Sequence, residues 1–378
     1  MQFRLFWQKK YLKRLLNVIP NMDLGEFKTI EEYFLKLDGS KPHIFPSNEN
    51  YVTRYAYMSD QFNTKIHPYV QMGAISYDGG YLNDHGPDHI KKVILRASEL
   101  LKDTSEKLSE YEIYILLMAI HIHDVGNILG RNGHEIRSID VIKEYGIQAG
   151  QDRIEWDCIF EIAEAHGGDI KDKISDLNED RILDFDVRKP LLAAILKFAD
   201  ELSEDRTRAS KLQLMAKQIV PEAEIYHKLS YSLHSVKIDS RAREIKLSFD
   251  IEEDDLCKEY DMVRKNGDDN ENIKVFLIDQ IYKRTYKTFL EKIYCMRFMR
   301  PLIQIDKIRV DIVITLNEKD ARGKPKKNTI FYELQEVGYP SYHNNGIEDI
   351  CPELIGATGA IVCEQSKIGG IKDVSSSH

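Results

Sequence analysis

Seven residues in the middle third of the chain have side chains that hold metal ions: His85, His89, the adjacent pair His123-Asp124, His134, His166 and Asp200. Imidazole and carboxylate without thiolate suit borderline-hard divalent cations (Mn, Fe, Co, Ni, Zn or Mg) and do not describe a cysteine-type structural zinc site. Such an ion lowers the pKa of bound water toward neutrality and neutralises phosphoryl oxygens, and two ions about 3.5 to 4 Å apart can hold nucleophile and substrate together. A carboxylate is the natural bridge between two cations, which gives Asp124 a role that no histidine could take. Spacing adds a constraint. His85 and His89 are four apart and share a helix face. His123 and Asp124 are adjacent, so on a regular helix their side chains point about 100° apart. They can serve one centre only at a helix end, and Val125-Gly126-Asn127 supplies one.

The elements that must position these groups are helices. From Asp84 to about Leu214 the apolar residues keep a helical period, and five segments are marked by period and caps. The first runs from about Pro87 to Lys102, with Ile90, Val93, Ile94, Ala97, Leu100 and Leu101 on one face. The second opens with Ser109 and Glu112, an S-x-x-E capping box, and continues through the apolar ILLMAI stretch to His123. Being apolar on most sides, it is expected at the centre. The third covers His134 to Tyr145 and stops at Gly146; the fourth covers Gln151 to His166 and stops at Gly167-Gly168, with Trp156 in the core. The fifth starts near Pro190 and brings Asp200 beside an apolar side formed by Leu192, Ile195, Leu196 and Ala199. Together these segments predict a bundle that gathers the seven residues at one point.

The order H…HD…(H…H)…D, with His89 in HIKKV, His123-Asp124 in LLMAIHIHDVG and Asp200 in LKFADELSEDR, resembles the HD-domain metal-dependent phosphohydrolases. The resemblance covers about residues 84 to 212 and implies an HD-type helical bundle. By position it implies a first metal on His89, His123, Asp124 and Asp200. The HE at His134-Glu135 and the HGG at His166 imply a second on Asp124, His134 and His166. His85 and Asp124 are the implied catalytic residues, His85 as a general acid or substrate contact. Arg131, Arg137, Arg206 and Arg208 are candidate phosphate binders, with Lys197 and Lys211 as further positive charge. Around Glu204 and Asp205, however, the same alternation of charge equally describes a solvated ion-paired face. Asn127 replaces a lysine common after HD motifs, no GYP motif follows, and Asn83-Asp84 stand where deoxynucleotide triphosphohydrolases usually carry an Arg. The first two departures, with the absence of the acidic pair of alarmone hydrolases, count against a two-metal cyclic-di-GMP phosphodiesterase and the stringent-response hydrolases.

The 378 residues are 42% hydrophobic and 30% charged, which excludes wholesale disorder, and 53 basic against 62 acidic residues give a net charge of −9. That balance disfavours a chain-wide nucleic-acid surface without excluding a local groove. Five scattered cysteines without a CxxC pair indicate no disulfide framework, and a reducing cytoplasm is expected. The apolar run Ile113 to Ile122 is far short of a bilayer span.

At the N-terminus, Phe3, Trp7, Tyr11, Leu12, Leu15, Leu16 and Ile19 form an amphipathic stripe that would suit a membrane surface but for which packing on the chain's own domain or on a neighbouring subunit is favoured, and a plausible short helix covers Thr29 to Leu37. Beyond residue 220, Tyr226–Ile238 and Ile245–Ile251 read as a β-hairpin, Asn266–Asn272 as a loop, Ile273 to Met299 as a long helix, and Ile308–Leu316 and Thr329–Leu334 as strands around a basic loop, Lys319–Asn328. The expectation is therefore a mainly α protein: an extension (1–80), an HD-type bundle (81–214) and a smaller α+β region with a hairpin (215–378) for oligomerisation or regulation.

The expected function is metal-dependent hydrolysis of nucleotides, deoxynucleoside triphosphates favoured, by attack of metal-activated water on phosphorus in a homo-oligomer. An HD-type nuclease or cyclic-nucleotide phosphodiesterase is the alternative, and a nucleotide-sensing or scaffolding protein without turnover is the alternative of another class.

Overall fold

In the computed structural model the most apolar helix of the sequence lies at the centre, and the others are arranged around it. The structure describes residues 26–38, 44–46, 49–70, 86–102, 104, 108–130, 133–144, 153–167, 173–204, 206, 220–266, 269–336, 346–349, 351 and 354–367, with backbone alone at 264–266, 269–270, 346 and 349. The N-terminal stripe from Phe3 to Ile19, His85, Arg131, Arg208 and Lys211 lie outside the described residues.

Before the bundle come α1 (Ile30–Phe34), capped by the Thr29 side chain, and α2 (Tyr51–Gln61), capped by Asn50. Helix α2 continues through one wider, π-type turn at Phe62–Ile66. The bundle follows, with α3 (Pro87–Leu101), α4 (Glu110–Ile122), a tight 3₁₀ turn (Val125–Leu129), α5 (His134–Glu144), α6 (Arg153–Glu164) and α7 (Lys189–Glu201). A small hairpin, β1 (Asp180–Ile182) and β2 (Phe185–Val187), leads into α7.

The capping box forms as the sequence predicts. Ser109 Oγ accepts from Glu112 N at 3.1 Å, and Glu112 Oε2 accepts from Ser109 N at 2.9 Å. Glu112 also accepts from Arg188 Nε and Nη2, both at 2.8 Å, which ties the start of α4 to the start of α7. Every residue from Tyr111 to Ile122 is buried. At about 1.5–3 kcal/mol per large apolar side chain, this helix alone supplies a large share of the driving force. With the 3₁₀ turn the apolar stretch reaches the 20 residues of a bilayer span, Glu110–Leu129, longer than expected, but 89% of its apolar window is inside the protein.

Beyond residue 220 the structure corrects several expectations. Residues 226–232 are helical and belong to α8 (Pro221–Ser232); Pro221 at the first helical position was the available signal. The hairpin is β3 (Leu233–Asp239) and β4 (Glu244–Glu252). After a short α9 (Glu253–Leu256), the expected loop Asn266–Asn272 proves to be the tip of a second hairpin, β5 (Glu259–Asn266) and β6 (Asp269–Phe276). The long helix α10 therefore starts at Leu277, not Ile273, and runs to Met299. The expected basic loop shrinks to a turn, because β7 extends over Lys307–Lys319 and β8 over Pro325–Gln335. These strands form one sheet in the order β3-β4-β7-β8, with β4 and β7 parallel. A last helix, α11 (Gly359–Lys367), follows, and it places Cys363 against Cys257 as a disulfide pair where no pairing was expected.

Strand alternation explains the packing. Ile245, Leu247, Phe249 and Ile251 on β4 and Ile308, Val310, Ile312 and Ile314 on β7 are buried, and on this sheet Tyr332 of β8 meets Thr285 of α10 through a 2.8 Å hydroxyl contact. Arg96 of α3 joins bundle and sheet, donating to the carbonyls of Leu202 (3.1 Å) and Val236 (2.9 Å). At the other end, fully buried Glu155 of α6 accepts from Tyr51 (2.8 Å) and Tyr111 (2.9 Å) and pairs with Arg54 of α2 at 2.6 Å. Removing one partner of a buried ion pair leaves the other uncompensated, at a cost of about 3–5 kcal/mol. Arg54→Met is therefore expected to lower the unfolding free energy by about that amount in urea titration, and a loss below about 1 kcal/mol would show that α2 is not held by this pair.

A buried histidine and aspartate cluster

The six predicted metal ligands all lie in the described structure, and all six meet, while His85, the expected acid or substrate contact, lies outside it. His89 opens the face of α3, His123 follows the last residue of α4, Asp124 precedes the 3₁₀ turn, His134 begins α5, His166 follows α6, and Asp200 lies in the last turn of α7. Helix ends therefore supply most of the donors, and this lets adjacent His123 and Asp124 both face one centre.

The two oxygens of Asp124 face different partners. Oδ2 lies 3.5 Å from His89 Nε2 and 3.4 Å from His123 Nε2. Oδ1 lies 3.2 Å from His134 Nε2 and 3.8 Å from His166 Nε2. Asp200 Oδ1 completes the first side, 3.2 Å from His89 Nε2 and 3.8 Å from His123 Nε2. The donor atoms form overlapping groups that could hold a metal ion: His89-His123-Asp124, His123-His166-Asp200 and Asp124-His134-His166.

The outer nitrogens show which way each ring is turned. His123 Nδ1 lies 2.7 Å from the Ile120 carbonyl, and His166 Nδ1 faces the Ala163 carbonyl. A carbonyl only accepts, so each Nδ1 carries its hydrogen. Ser203 Oγ donates to the Asp200 carbonyl at 2.7 Å, so it can only accept from His89 Nδ1 at 3.3 Å. His134 Nδ1 lies 3.2 Å from the Glu135 carboxylate, which accepts in the same way. All four imidazoles thus turn Nε2 inward, the arrangement that outer partners impose on metal-bound histidines. The donor set fits a divalent cation on these grounds.

Charge follows from the same geometry. Burial opposes a charge on His123, but Asp124 and Asp200 outweigh it and hold the group up at about 10. Burial and the neighbouring His123 push His166 down to about 3. Asp200 stays far below the ordinary carboxylate range, since hydrogen bonds from His123 and His89 overcome burial. Without an ion, a proton on His123 neutralises part of the two carboxylates' charge, and an ion entering the site must displace it.

Gly126 has a demanding position. An added Cβ would lie 1.8 Å from the His134 carbonyl oxygen, so only glycine lets the 3₁₀ turn lie against the start of α5. Asn127, expected only as a departure from a motif, donates from Nδ2 to Asp124 Oδ1 at 3.0 Å. The outer residues Ser203 and Glu135 carry no ligand role in the sequence reading, although the HE pair was the available signal for Glu135. Two of the expected phosphate binders are turned to other work in the structure: Arg137 donates to the Leu129 carbonyl at 2.9 Å, and Arg206 lies 3.4 Å from Asp250.

The profile of the HD-CE family matches residues 78–284, more than half of the chain, and its span contains all six clustered residues. The chain belongs to the HD-CE family. The HD-CE match passes residue 214, runs through both hairpins and ends inside α10. Among curated proteins and among solved structures, none matches the chain. An HD-type domain with a buried site able to take a divalent ion agrees with the expectation from sequence.

Gly126→Ala is expected to force the turn off α5, lowering the unfolding free energy by about 1–3 kcal/mol in urea titration. An unchanged midpoint would show that the turn relaxes without cost.

Proposed function

We propose that this HD-CE chain is a metal-dependent phosphohydrolase acting on nucleotides, with deoxynucleoside triphosphates the favoured class. The observation that carries the reading is Asp124, whose two oxygens face two different sets of imidazole Nε2 atoms, each ring being fixed from outside through its Nδ1. His89, His123, Asp124 and Asp200 would hold one divalent ion, and Asp124, His134 and His166 a second. Ions held there would lower the pKa of bound water and neutralise phosphoryl oxygens.

The chain itself supplies position and exclusion of water. His89 and His123 have no exposed side-chain surface, Asp124 has 6% and Asp200 has 30%. Access to the cluster therefore opens over Asp200, and a phosphate would arrive from that side. His85, four residues before His89, is the proposed proton donor to the leaving oxygen, and Arg131 and Arg208 remain proposed phosphate contacts, Arg137 and Arg206 being engaged elsewhere. Self-association and a cytoplasmic setting belong to the same proposal; a monomer in light scattering at micromolar concentration would remove the first.

The test is the full chain loaded separately with Mn, Co or Mg and incubated with deoxynucleoside and nucleoside triphosphates, cyclic nucleotides and single-stranded DNA, with products read by mass. Release of phosphate or triphosphate from mononucleotides is expected, and Asp124→Ala should reduce it by at least about a thousandfold. Cleavage confined to DNA or cyclic nucleotides would replace the substrate class. Silence across the panel by a metal-loaded chain that binds nucleotide tightly would mean that the site needs an activator or serves as a sensor.

A further inference from the structure

Helix α7 carries more than Asp200. One turn earlier on the same face stands Lys197, whose Nζ donates to the His166 carbonyl at 2.9 Å. The same Nζ lies 3.5 Å from Glu291 Oε2 of α10, and the two side chains are only 13% and 20% exposed. His166 follows the last turn of α6, where carbonyls have no partner within the helix. A lysine capping such a carbonyl needs no further explanation. A largely buried carboxylate brought from another region of the chain to fix that lysine does, because shielding a charge from water is costly unless a definite geometry results.

The other side of the cluster is tied to α10 through different atoms. Arg284 Nη2 donates to the Glu201 carbonyl at 2.7 Å, and the Glu201 carboxylate accepts from Thr288 at 2.7 Å and pairs with Lys287 at 3.0 Å. Glu201 adjoins Asp200, so α10 reaches the first donor set through Glu201 and the second through Lys197.

We propose that Glu291 is a positioning residue for His166, acting through Lys197, so that α10 sets how tightly Asp124, His134 and His166 hold their ion. This rests on the two-ion reading above. His166 Nε2 lies 3.8 Å from Asp124 Oδ1, where His134 Nε2 is at 3.2 Å, and its main chain is held by Lys197. A small displacement of that main chain therefore moves His166 Nε2 relative to Asp124 and His134.

The experiment is titration of the full chain with Mn²⁺ by calorimetry, with bound ions counted by elemental analysis and spin coupling between ions read by EPR. Wild type, Glu291→Gln, Lys197→Met and Lys197→Arg are compared. Glu291→Gln and Lys197→Met are expected to keep the first ion at wild-type affinity, to bind the second at least about tenfold more weakly, and to lose the coupled signal at limiting Mn²⁺. Lys197→Arg, which keeps a cation within reach of both partners, should recover most of the second-ion affinity. Two ions at wild-type affinity in Glu291→Gln would overturn the proposal and reduce Lys197 to a helix cap. Equal weakening of both ions would overturn it in favour of a general loss of structure. Fewer than two ions on the wild type would overturn the two-ion reading itself, before any variant is compared.

Discussion

Asp124 stands where α4 has ended and a tighter turn has begun, and the rest of the site is measured from its two oxygens. A carboxylate with imidazoles on both sides can exist inside a protein only if something positive accompanies it, because an uncompensated buried charge costs several kcal/mol. In the metal-free chain a proton on His123 meets that need, which is why this histidine is held up at about 10 although it is buried. The carboxylates of Asp124 and Asp200 thus favour a positive charge at this point. His166 shows the limit of the same device. With one cation already beside it, burial prevails and it stays neutral.

Holding six donors around one point is harder than burying them. The sequence meets the difficulty with helix ends, where side-chain direction changes within a residue or two, and then fixes each end from outside. Ser203, Glu135 and the carbonyls of Ile120 and Ala163 orient the rings, and Gly126 lets α5 approach the turn until no Cβ would fit. The partners outside these are charged: Arg188 on Glu112, Arg54 on Glu155, Arg284 and Lys287 on Glu201. Interactions of this kind add little net stability when intact but cost much when one member is lost. They therefore select one packing of α2, α7 and α10 around the cluster over near alternatives.

What was legible in the sequence is what local physics decides. The Ser109–Glu112 box, the apolar run of α4, the end at Val125-Gly126 and the order of the six donors each follow from a short span, and the structure contains all of them. Two kinds of feature were not legible. Residues 226–232 and 273–276 carry apolar groups at spacings that suit strand and helix alike, so contacts far along the chain decided between them. Pairing was hidden as well. Alternation in β4 shows that one face is buried, but nothing within β4 shows that its neighbour is β7, about sixty residues later and parallel. The same limit explains why Lys197 was read as positive charge for a phosphate when it holds a carbonyl and a carboxylate that local spacing cannot bring together.

The extent of the HD-CE match bears on how the chain divides. A bundle complete in itself would need nothing after α7, yet the match continues through both hairpins into α10, and the buried core is continuous from Ile30 to Val362. The polar contacts agree: Arg96 joins α3 to β3, and α10 meets α7 at Glu201 and at Lys197. A segment that contributes charged partners to the shell of the cluster cannot be exchanged for an unrelated one without disturbing the site. Variation at the surface of the sheet is less constrained, because its outward residues pair with one another across strands, as Lys307 and Arg309 of β7 do with Glu244 of β4 and Glu333 of β8. The fold thus separates two tasks. The face of α10 toward α7 is bound to the chemistry of the cluster, and the far face of the sheet is held by ion pairs among its own strands.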